Sequence, residues 1–170
     1  GFDKVTVNVN IAVCQFLQPG FIDFLKEILD DNDLAPSNLR LELTESVLME
    51  DSARSIDILE SIKAIGIKLA IDDFGTGYSA LSYLQQFPLD DLKISESFVH
   101  KLSVNAECYE IVKTIVDLSK KLGLNVVAEG VETEHQLDKV KRLGIDMVQG
   151  FYFACPADNE AVIDVIKPFQ

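Results

Sequence analysis

Short apolar runs rich in β-branched residues alternate along the chain with longer segments in which apolar residues recur every three or four positions. The short runs have the length and composition of β-strands, and the longer segments have the spacing of amphipathic helices. Six strands are predicted, at 5–10, 39–45, 67–73, 89–95, 125–131 and 146–153.

Three of the helical segments end in the same way. In each, a lysine or arginine near the helix end precedes a glycine, and the next strand follows at once; these glycines are Gly66, Gly123 and Gly144. A cation is favourable at the negative end of a helix dipole, and glycine readily adopts the left-handed conformation of a helix cap. The short connections predict βα repeats and therefore a parallel sheet. The apolar positions that mark these helices are Ile56, Leu59 and Ile62, then Ile111, Ile115, Leu118 and Leu122, and finally Leu137, Val140 and Leu143.

Polar and apolar residues alternate within the predicted strands. Since successive side chains of a strand point to opposite faces, one face of the sheet is polar on strand after strand. An open sheet with helices on both faces would be apolar on both. The pattern therefore favours a (β/α)8 TIM-like barrel whose interior is polar near its mouth. The polar positions are Thr6, Asn8 and Asn10, then Arg40, Glu42 and Thr44, then Lys68 and Asp72, and finally Asp91, Lys93 and Ser95.

The number of repeats is smaller than a closed barrel needs. A complete barrel has eight βα units and about 250 residues, whereas this chain of 170 residues offers about six units. Its sequence also starts almost directly on a strand. We therefore expect residues 1–170 to form the C-terminal portion of a single barrel domain.

The charge balance limits the partners that this segment can bind. There are 28 acidic residues against 15 basic ones, a net charge of -13, which opposes binding to DNA or RNA polymers and to anionic membranes. No apolar run approaches the roughly 20 residues of a membrane helix. The three cysteines form no C-x-x-C pair and are typical of small buried residues in a reducing compartment. We expect a cytoplasmic segment without membrane contact, although a longer parent protein could be membrane-anchored.

Polar side chains that could carry chemistry occur where the predicted strands end, which is where (β/α) folds build their active sites. Asparagine and carboxylate oxygens suit a hard cation such as Mg²⁺ or Mn²⁺. The adjacent pair Asp72 and Asp73 could hold two metals, the device used for in-line displacement at a phosphodiester. The full set is Asn8, Glu42, Asp72, Asp73, Lys93, Glu129 and Gln149.

Structural interpretations of the same residues stay open at this point. Glu42 or Glu45 could each be a strand-end acid that meets a helix N-terminus. Lys93 could pair with Asp72 or Asp91 in a structural ion-pair network. A nucleoside-triphosphate loop is disfavoured, because no Lys-Ser/Thr pair follows the glycines after Asp72.

Five strings in order resemble the motifs of a known family, and together they cover nearly the whole chain. They are Glu42-Leu43-Thr44-Glu45, Asp72-Asp73-Phe74-Gly75-Thr76-Gly77-Tyr78-Ser79, Leu92-Lys93-Ile94, Ala128-Glu129-Gly130-Val131-Glu132-Thr133 and Gln149-Gly150. On these strings the chain resembles EAL domains, the bacterial cyclic-di-GMP phosphodiesterases.

This resemblance implies a barrel that uses Mg²⁺ or Mn²⁺ to hydrolyse cyclic di-GMP to linear pGpG. It also implies a homodimer formed beside the loop after Asp73 and additional signalling domains in the parent protein. The implied roles are metal ligation by Asn8, Glu42, Asp72 and Asp73, water orientation by Lys93, catalysis at the same centre by Glu129, substrate binding by Gln149, and loop anchoring or support by Glu45 and Glu132.

The sequence departs from the family pattern in three respects. The namesake Glu-Ala-Leu segment, which supplies a metal ligand in the family, is absent from these residues, so the isolated chain is expected to be inactive. Ser95 stands where the family's Leu-Lys-Ile-Asp motif has aspartate, which affects the expected catalytic rate more than ligand binding. Asn10 replaces the serine of a Val-Asn-x-Ser pattern, and Ala154-Cys155-Pro156 replaces a more common Ser-Lys-Pro. The alternative function is a catalytically degenerate EAL domain, acting as a cyclic-di-GMP receptor or a regulatory dimerisation module.

Overall fold

A six-stranded parallel sheet forms the centre of the chain in the computed structural model, which describes residues 5–49, 52–75 and 84–166. Each strand pairs in parallel with the strand before it and the strand after it in the chain. A doubly wound sheet reverses its strand order at a switch point, and no such reversal occurs among the described strands. The sheet is therefore a half-barrel, as the alternating pattern predicted. The strands are β1 (Val7–Asn10), β2 (Leu39–Thr44), β3 (Lys68–Phe74), β4 (Asp91–Ile94), β5 (Asn125–Ala128) and β6 (Met147–Val148).

Helices connect the strands and cover the outer face of the sheet. None of the helices in the described part of the chain has both the length and the apolar character needed to cross a membrane. The helices are α1 (Val13–Phe16), α2 (Phe21–Asp31), α3 (Glu45–Met49), α4 (Ser52–Ile65), α5 (Glu96–Lys101), α6 (Ala106–Leu122), α7 (Glu134–Leu143) and α8 (Asn159–Ile166), with a 3₁₀ turn at Pro36–Asn38.

The predicted helix ends are confirmed. Gly66, Gly123 and Gly144 follow α4, α6 and α7, and their φ angles are +100°, +76° and +68°. These angles lie in the left-handed region that glycine adopts without a steric penalty. The caps let the chain turn directly from each helix into the next strand.

The helix predicted around Ile111 is confirmed, but its buried face lies one position further along the chain. Cys108, Val112, Val116 and Ser119 of α6 are buried, whereas Ile111 is 44% exposed. The two polar side chains can be buried because each donates to a carbonyl oxygen, Ser119 within its own helix and Cys108 to α5. Apolar spacing alone did not distinguish the two faces, since both repeat at helical intervals.

The expectation that all three cysteines are buried is wrong for two of them. Cys108 is buried against α5, but Cys14 and Cys155 are exposed. Cys14 lies in the short helix α1, and Cys155 lies in the irregular segment after β6, where little protein covers the chain.

Strand β6 is shorter than the predicted run at 146–153. After Gln149, the chain turns at Gly150, where a Cβ atom would lie 2.2 Å from the carbonyl oxygen of Val131. The amide of Tyr152 donates to that same oxygen, and the amide of Phe153 donates back to Gly150. This turn ends the strand although the residues that follow are aromatic.

The core lies between the sheet and the helices, with Leu41, Leu43, Ile71 and Ile94 almost completely buried. The outermost strand β1 is different, because Val7 and Val9 are 49% and 39% exposed. Among the described residues, nothing pairs with the outer side of β1 or of β6. The outer edges of β1 and β6 are therefore unpaired within the part of the chain that the structure describes.

Candidate metal and catalytic site

Lys93 lies at the centre of the polar face, buried near the C-terminal end of β4. Its Nζ atom lies 2.6 Å from Oε2 of Glu42, 2.7 Å from Oε1 of Glu129 and 3.1 Å from Oδ1 of Asp72. These three carboxylates come from β2, from the residue directly after β5, and from β3. The fold thus brings four sequence-predicted site residues from four neighbouring strands into direct contact.

The ammonium of Lys93 stays charged in this environment. Burial lowers the pKa of Lys93, but hydrogen bonds and Coulombic attraction from Glu129 and Glu42 outweigh burial and raise the pKa above its ordinary value. Close opposite charges favour the ionised form of a side chain. Lys93 is therefore a fixed cation with three N–H donors, and it is not a proton acceptor at neutral pH.

Glu129 has the opposite character. Burial raises the pKa of Glu129 to about 7, Lys93 opposes this rise, and the nearby carboxylate of Asp72 adds to it. Two carboxylates that share a site disfavour each other's ionisation. Glu129 therefore keeps its proton to a higher pH than an ordinary glutamate does. The side-chain amide of Gln149 donates to Oε1 of Glu129 at 2.8 Å, which places Gln149 in the same cluster.

Asp72, Asp73 and Glu129 each present a carboxylate oxygen, and these three atoms lie within 4.8 Å of one another. Adjacent residues of a regular strand point to opposite faces, so Asp72 and Asp73 require a local irregularity to share a site. Asp73 has a φ of +53°, and the pairing of β3 with β4 shifts its register between Ile71 and Phe74. The amide of Asp73 donates to Oδ1 of Asp72 at 2.9 Å. This turn brings both carboxylates to one side.

The donor set fits a divalent cation. Oε1 of Glu42 is buried without a hydrogen-bond partner among the described residues, and a buried acceptor of this kind is costly unless a cation or donor meets it. The oxygens of Asp72, Asp73 and Glu129 are the hard ligands that Mg²⁺ and Mn²⁺ prefer. The residues present therefore match the metals expected from the sequence.

The sequence predicted Asn8 as the asparagine ligand, and the same strand carries a second asparagine, Asn10. The register of β1 with β2 pairs Asn8 with Arg40 and pairs Asn10 with Glu42. Both asparagines point to the same face, but Asn10 lies level with the carboxylate of the cluster, one step nearer the strand end. The Val-Asn pair occurs twice in this strand, at residues 7–8 and 9–10, and the ligand role predicted for Asn8 remains a prediction.

The predicted anchoring residues have separate positions. Glu45 is buried at the start of α3, but the loop that it was predicted to anchor falls on 76–83, outside the described residues. Glu132 is exposed, and its carboxylate lies 4.0 Å from Nε2 of His100. The anchoring roles of Glu45 and Glu132 remain predictions.

Arg40 and Asp91 form a second ion pair on the polar face of the sheet. The sequence analysis had named Asp91 only as a possible partner of Lys93. Asp91 is paired with Arg40 at 2.8 Å and accepts a hydrogen bond from the side chain of Asn125 at 2.9 Å. The open alternative that Lys93 pairs with Asp91 is therefore not what the structure shows. Arg40 and Asp91 form a separate structural pair, which leaves Lys93 to the carboxylates of the cluster.

A cavity of about 810 Å³ opens beside the cluster, a size typical of small-molecule sites. Four of the residues that line the cavity are acidic, and no lysine or arginine lines it among the described residues. The four are Asp73, Glu96, Glu129 and Glu132. An anionic ligand in this cavity needs a cation that these walls do not supply. The remaining lining residues are Ser95, Ser97, Gly130, Gln149, Gly150, Phe151, Ala154, Cys155 and Pro156.

Carboxylates and a lysine at the C-terminal strand ends of a parallel barrel wall lie where (β/α)-barrel proteins place their functional sites. Comparison with known families narrows this class, because the family model described as EAL domain matches residues 2–156. The chain belongs to the EAL domain family, as its sequence motifs indicated.

Two curated proteins of Pseudomonas aeruginosa illustrate the relationship. The bifunctional diguanylate cyclase/cyclic di-GMP phosphodiesterase MucR is 42% identical over 92% of this chain. The cyclic di-GMP phosphodiesterase NbdA is 36% identical over the whole chain. The chain spans 23% of the length of MucR and 22% of the length of NbdA.

Solved structures confirm the barrel fold. The MucR phosphodiesterase in complex with c-di-GMP superimposes with a TM-score of 0.88 and 42% identity, covering 92% of this chain and 64% of that chain. Klebsiella pneumoniae BlrP1 in a manganese and cyclic di-GMP complex gives a TM-score of 0.84 and 32% identity, covering 89% of this chain and 39% of that chain. The described half-barrel is therefore part of an EAL-type barrel.

Proposed function

We propose that the protein containing this chain hydrolyses cyclic di-GMP to linear pGpG in a reaction that depends on Mg²⁺ or Mn²⁺. The observation that carries this proposal is the convergence of Glu42, Asp72 and Glu129 on Lys93, with Asp73 beside them. The names of MucR and NbdA and the ligands of the MucR and BlrP1 structures support the substrate and a divalent metal. A two-metal arrangement is part of the proposal.

The residues that would hold the metal ions are Glu42, Asp72, Asp73, Glu129 and an asparagine of β1. We assign the asparagine role to Asn10 in preference to Asn8, because Asn10 pairs in register with Glu42. When bound, Mg²⁺ or Mn²⁺ would supply Lewis-acid stabilisation of the charge that develops on the phosphodiester.

Lys93 and Glu129 have separate roles in the proposed reaction. Lys93 is a fixed cation held by three carboxylates. We assign it to orienting the attacking water, a role in which one of its N–H donors turns to the water when a metal takes up the carboxylate oxygen that it now contacts. Burial raises the pKa of Glu129 to about 7 without a metal, so its carboxylate can give up its proton to a metal ion near neutral pH. The buried cluster excludes bulk solvent from one side, and the cavity leaves the other side open for the dinucleotide.

A second candidate function rests on Ser95. This side chain is buried two residues after Lys93 in the chain and lines the cavity, at the position where the family motif has a carboxylate. A site with one acid fewer favours the alternative of a cyclic-di-GMP receptor with little or no turnover, or of a regulatory dimerisation module. For either function, a homodimer and additional signalling domains in the full-length protein remain proposals. The 170 residues alone are expected to be inactive, since they lack the Glu-Ala-Leu segment.

The deciding experiment measures hydrolysis of cyclic di-GMP by the full-length protein with Mg²⁺, with Mn²⁺ and with a chelator. Asp72→Asn is expected to reduce turnover by on the order of 100-fold or more, while Asp117→Asn, an exposed position on α6, serves as the matched control. Metal-independent turnover, or full activity of the Asp72 variant, would contradict the proposal. Binding without turnover in the unsubstituted protein would favour the receptor.

A further inference from the structure

The backbone of Gln149 is hydrogen-bonded to residues that precede and follow Glu129 in the chain. The amide of Gln149 donates to the carbonyl oxygen of Ala128 at 2.9 Å, and its carbonyl oxygen accepts from the amide of Val131 at 3.1 Å. Gly150 permits this close approach, because a Cβ atom there would lie 2.3 Å from the backbone nitrogen of Val131. Gln149 thus fixes the backbone at Ala128, directly before Glu129, and at Val131, two residues after it.

The side chain of Gln149 acts on Glu129 directly. Its Nε2 atom donates to Oε1 of Glu129 at 2.8 Å, and the same oxygen lies 2.7 Å from Nζ of Lys93. Two donors therefore meet on one oxygen of the carboxylate. This pairing fixes the rotation of the carboxylate and leaves Oε2 as the atom available to a cation shared with Asp72 and Asp73, whose oxygens lie within 4.8 Å of an oxygen of Glu129.

We propose that Gln149 is a positioning residue that aims Glu129 at the metal site, and that it is not primarily a substrate-binding residue. This inference rests on the proposed metal-dependent function. Its chemical basis is that partners of a metal ligand fix the ligand's orientation and contribute to metal affinity without touching the metal. The amide is required because it is a neutral donor, whereas a carboxylate at this position would repel Glu129.

The test uses the full-length protein and Mn²⁺ alone as the probe, with affinity measured by calorimetry in the absence of nucleotide. Gln149→Met keeps the side-chain length but removes the donor, and we expect Mn²⁺ affinity to fall by about 10-fold to 100-fold. The KM for cyclic di-GMP at saturating Mn²⁺ is expected to change by less than about 3-fold, and excess Mn²⁺ is expected to restore kcat. Gln86→Met, at an exposed glutamine outside the cavity, is the matched control.

A double substitution identifies the route of the effect. If Gln149 acts through Glu129, Gln149→Met causes no further loss of Mn²⁺ affinity when Glu129 is already alanine. Thermal unfolding of each variant in chelator shows whether the fold is retained, and the comparison between the two backgrounds holds even if both variants are less stable.

The outcomes separate this inference from the proposed function. Unchanged Mn²⁺ affinity with a KM raised by more than about 10-fold would overturn the positioning role and assign Gln149 to the substrate. Turnover by the unsubstituted protein together with unchanged Mn²⁺ affinity in Gln149→Met would overturn the inference and leave the proposed function intact. Absence of Mn²⁺ binding by the unsubstituted protein would overturn both.

Discussion

The ammonium of Lys93 and the carboxylate of Glu129 lie 2.7 Å apart, although the two residues belong to different βα units. Glu42 and Asp72 contact the same ammonium at 2.6 Å and 3.1 Å. One cation thus faces three acids, and the cluster attracts further positive charge. This imbalance is the physical reason to expect a divalent metal here, and it makes Lys93 a competitor of the metal for the same oxygens.

Replacement of Lys93 by methionine tests this competition. The variant removes the positive charge but keeps most of the side-chain volume, so we expect Mn²⁺ to bind more tightly, by about 3-fold or more, because the carboxylates are no longer neutralised. Turnover is expected to fall by on the order of 100-fold, because the water loses its fixed donor. Calorimetry with Mn²⁺ and a hydrolysis assay measure the two effects. The exposed Lys113→Met serves as the control, and weaker Mn²⁺ binding by the Lys93 variant would count against the competition.

Glu129 gives the site a predictable pH dependence. Its pKa is raised from 4.5 to about 7, chiefly by burial. Between these values the folded protein holds a proton that the unfolded chain has lost, so the contribution of Glu129 to metal-free stability is present below 4.5 and is lost as pH rises through about 7. A metal needs the ionised form, so Mn²⁺ affinity is expected to rise with pH, by up to about 10-fold per unit, and to level off above pH 7.

Mn²⁺ titrations at about pH 6 and about pH 8 measure this dependence. Glu129→Gln removes the titrating group and keeps its size, so its Mn²⁺ affinity should be weaker and should vary much less across the same interval. A wild-type affinity that is equal at both pH values would show that Glu129 does not lose a proton when the metal binds.

Much of the site was predictable because strand ends in a parallel barrel converge on one rim. A run of apolar residues that ends in Asp72 or Glu129 therefore places that residue by topology alone, and Lys93 follows from the alternation within its strand. The family motifs added the order and identity of these residues, and they pointed to the metal class before any distance was known.

Other features depend on contacts that no local pattern encodes. Strand register decides which asparagine of β1 lies opposite Glu42, and the structure places Asn10 there. The sequence alone does not decide this, because both Asn8 and Asn10 follow a valine. The pairing of Asp91 with Arg40 depends on how far along the barrel axis each side chain lies, which the register of the strands decides. The contact between Gln149 and Glu129 joins two βα units. It could not be predicted from the sequence, because the predicted strand continued past Gln149 whereas β6 ends at Val148.

The two asparagines of β1 form an internally matched test of the register argument. They lie on the same face of the same strand, and both are exposed, so their replacement by alanine should have similar effects on stability. Asn10→Ala is expected to weaken Mn²⁺ binding by about 10-fold or more, while Asn8→Ala is expected to change it by less than about 2-fold. The reverse order of effects would return the ligand role to Asn8 and would place the metal one step deeper in the barrel.

Cysteine reactivity tests the packing of α6 against α5 independently of function. Cys108 is 5% exposed, and burial raises the pKa of its thiol despite the opposing charge of Lys101. Since the thiolate is the reactive form, alkylation of native Cys108 is expected to be at least about 100-fold slower than that of the exposed Cys14 and Cys155. Peptide mass spectrometry after timed alkylation at neutral pH measures all three. Equal labelling of Cys108 before unfolding would show that α6 does not pack as described.

Ser95 is the residue whose replacement best separates an enzyme from a receptor. It is buried directly before α5, and its backbone has the extended conformation of a helix N-cap without a side-chain capping bond. Aspartate is a favourable residue at such a position, so Ser95→Asp should fold. The new carboxylate would lie in the wall of the cavity that also contains Asp73 and Glu129.

In chelator, Ser95→Asp adds like charge to an acidic cluster, so its thermal midpoint is expected to lie below that of the isosteric, uncharged control Ser95→Asn. Mn²⁺ is expected to reverse this order, because a ligand that binds only the native state stabilises it in proportion to its affinity. If turnover rises by about 10-fold or more along with this metal-dependent stabilisation, the serine limits catalysis in a site that is otherwise complete. If Mn²⁺ stabilises Ser95→Asp no more than Ser95→Asn, position 95 lies outside the reach of the metal, and the low-activity alternative loses the observation that favours it.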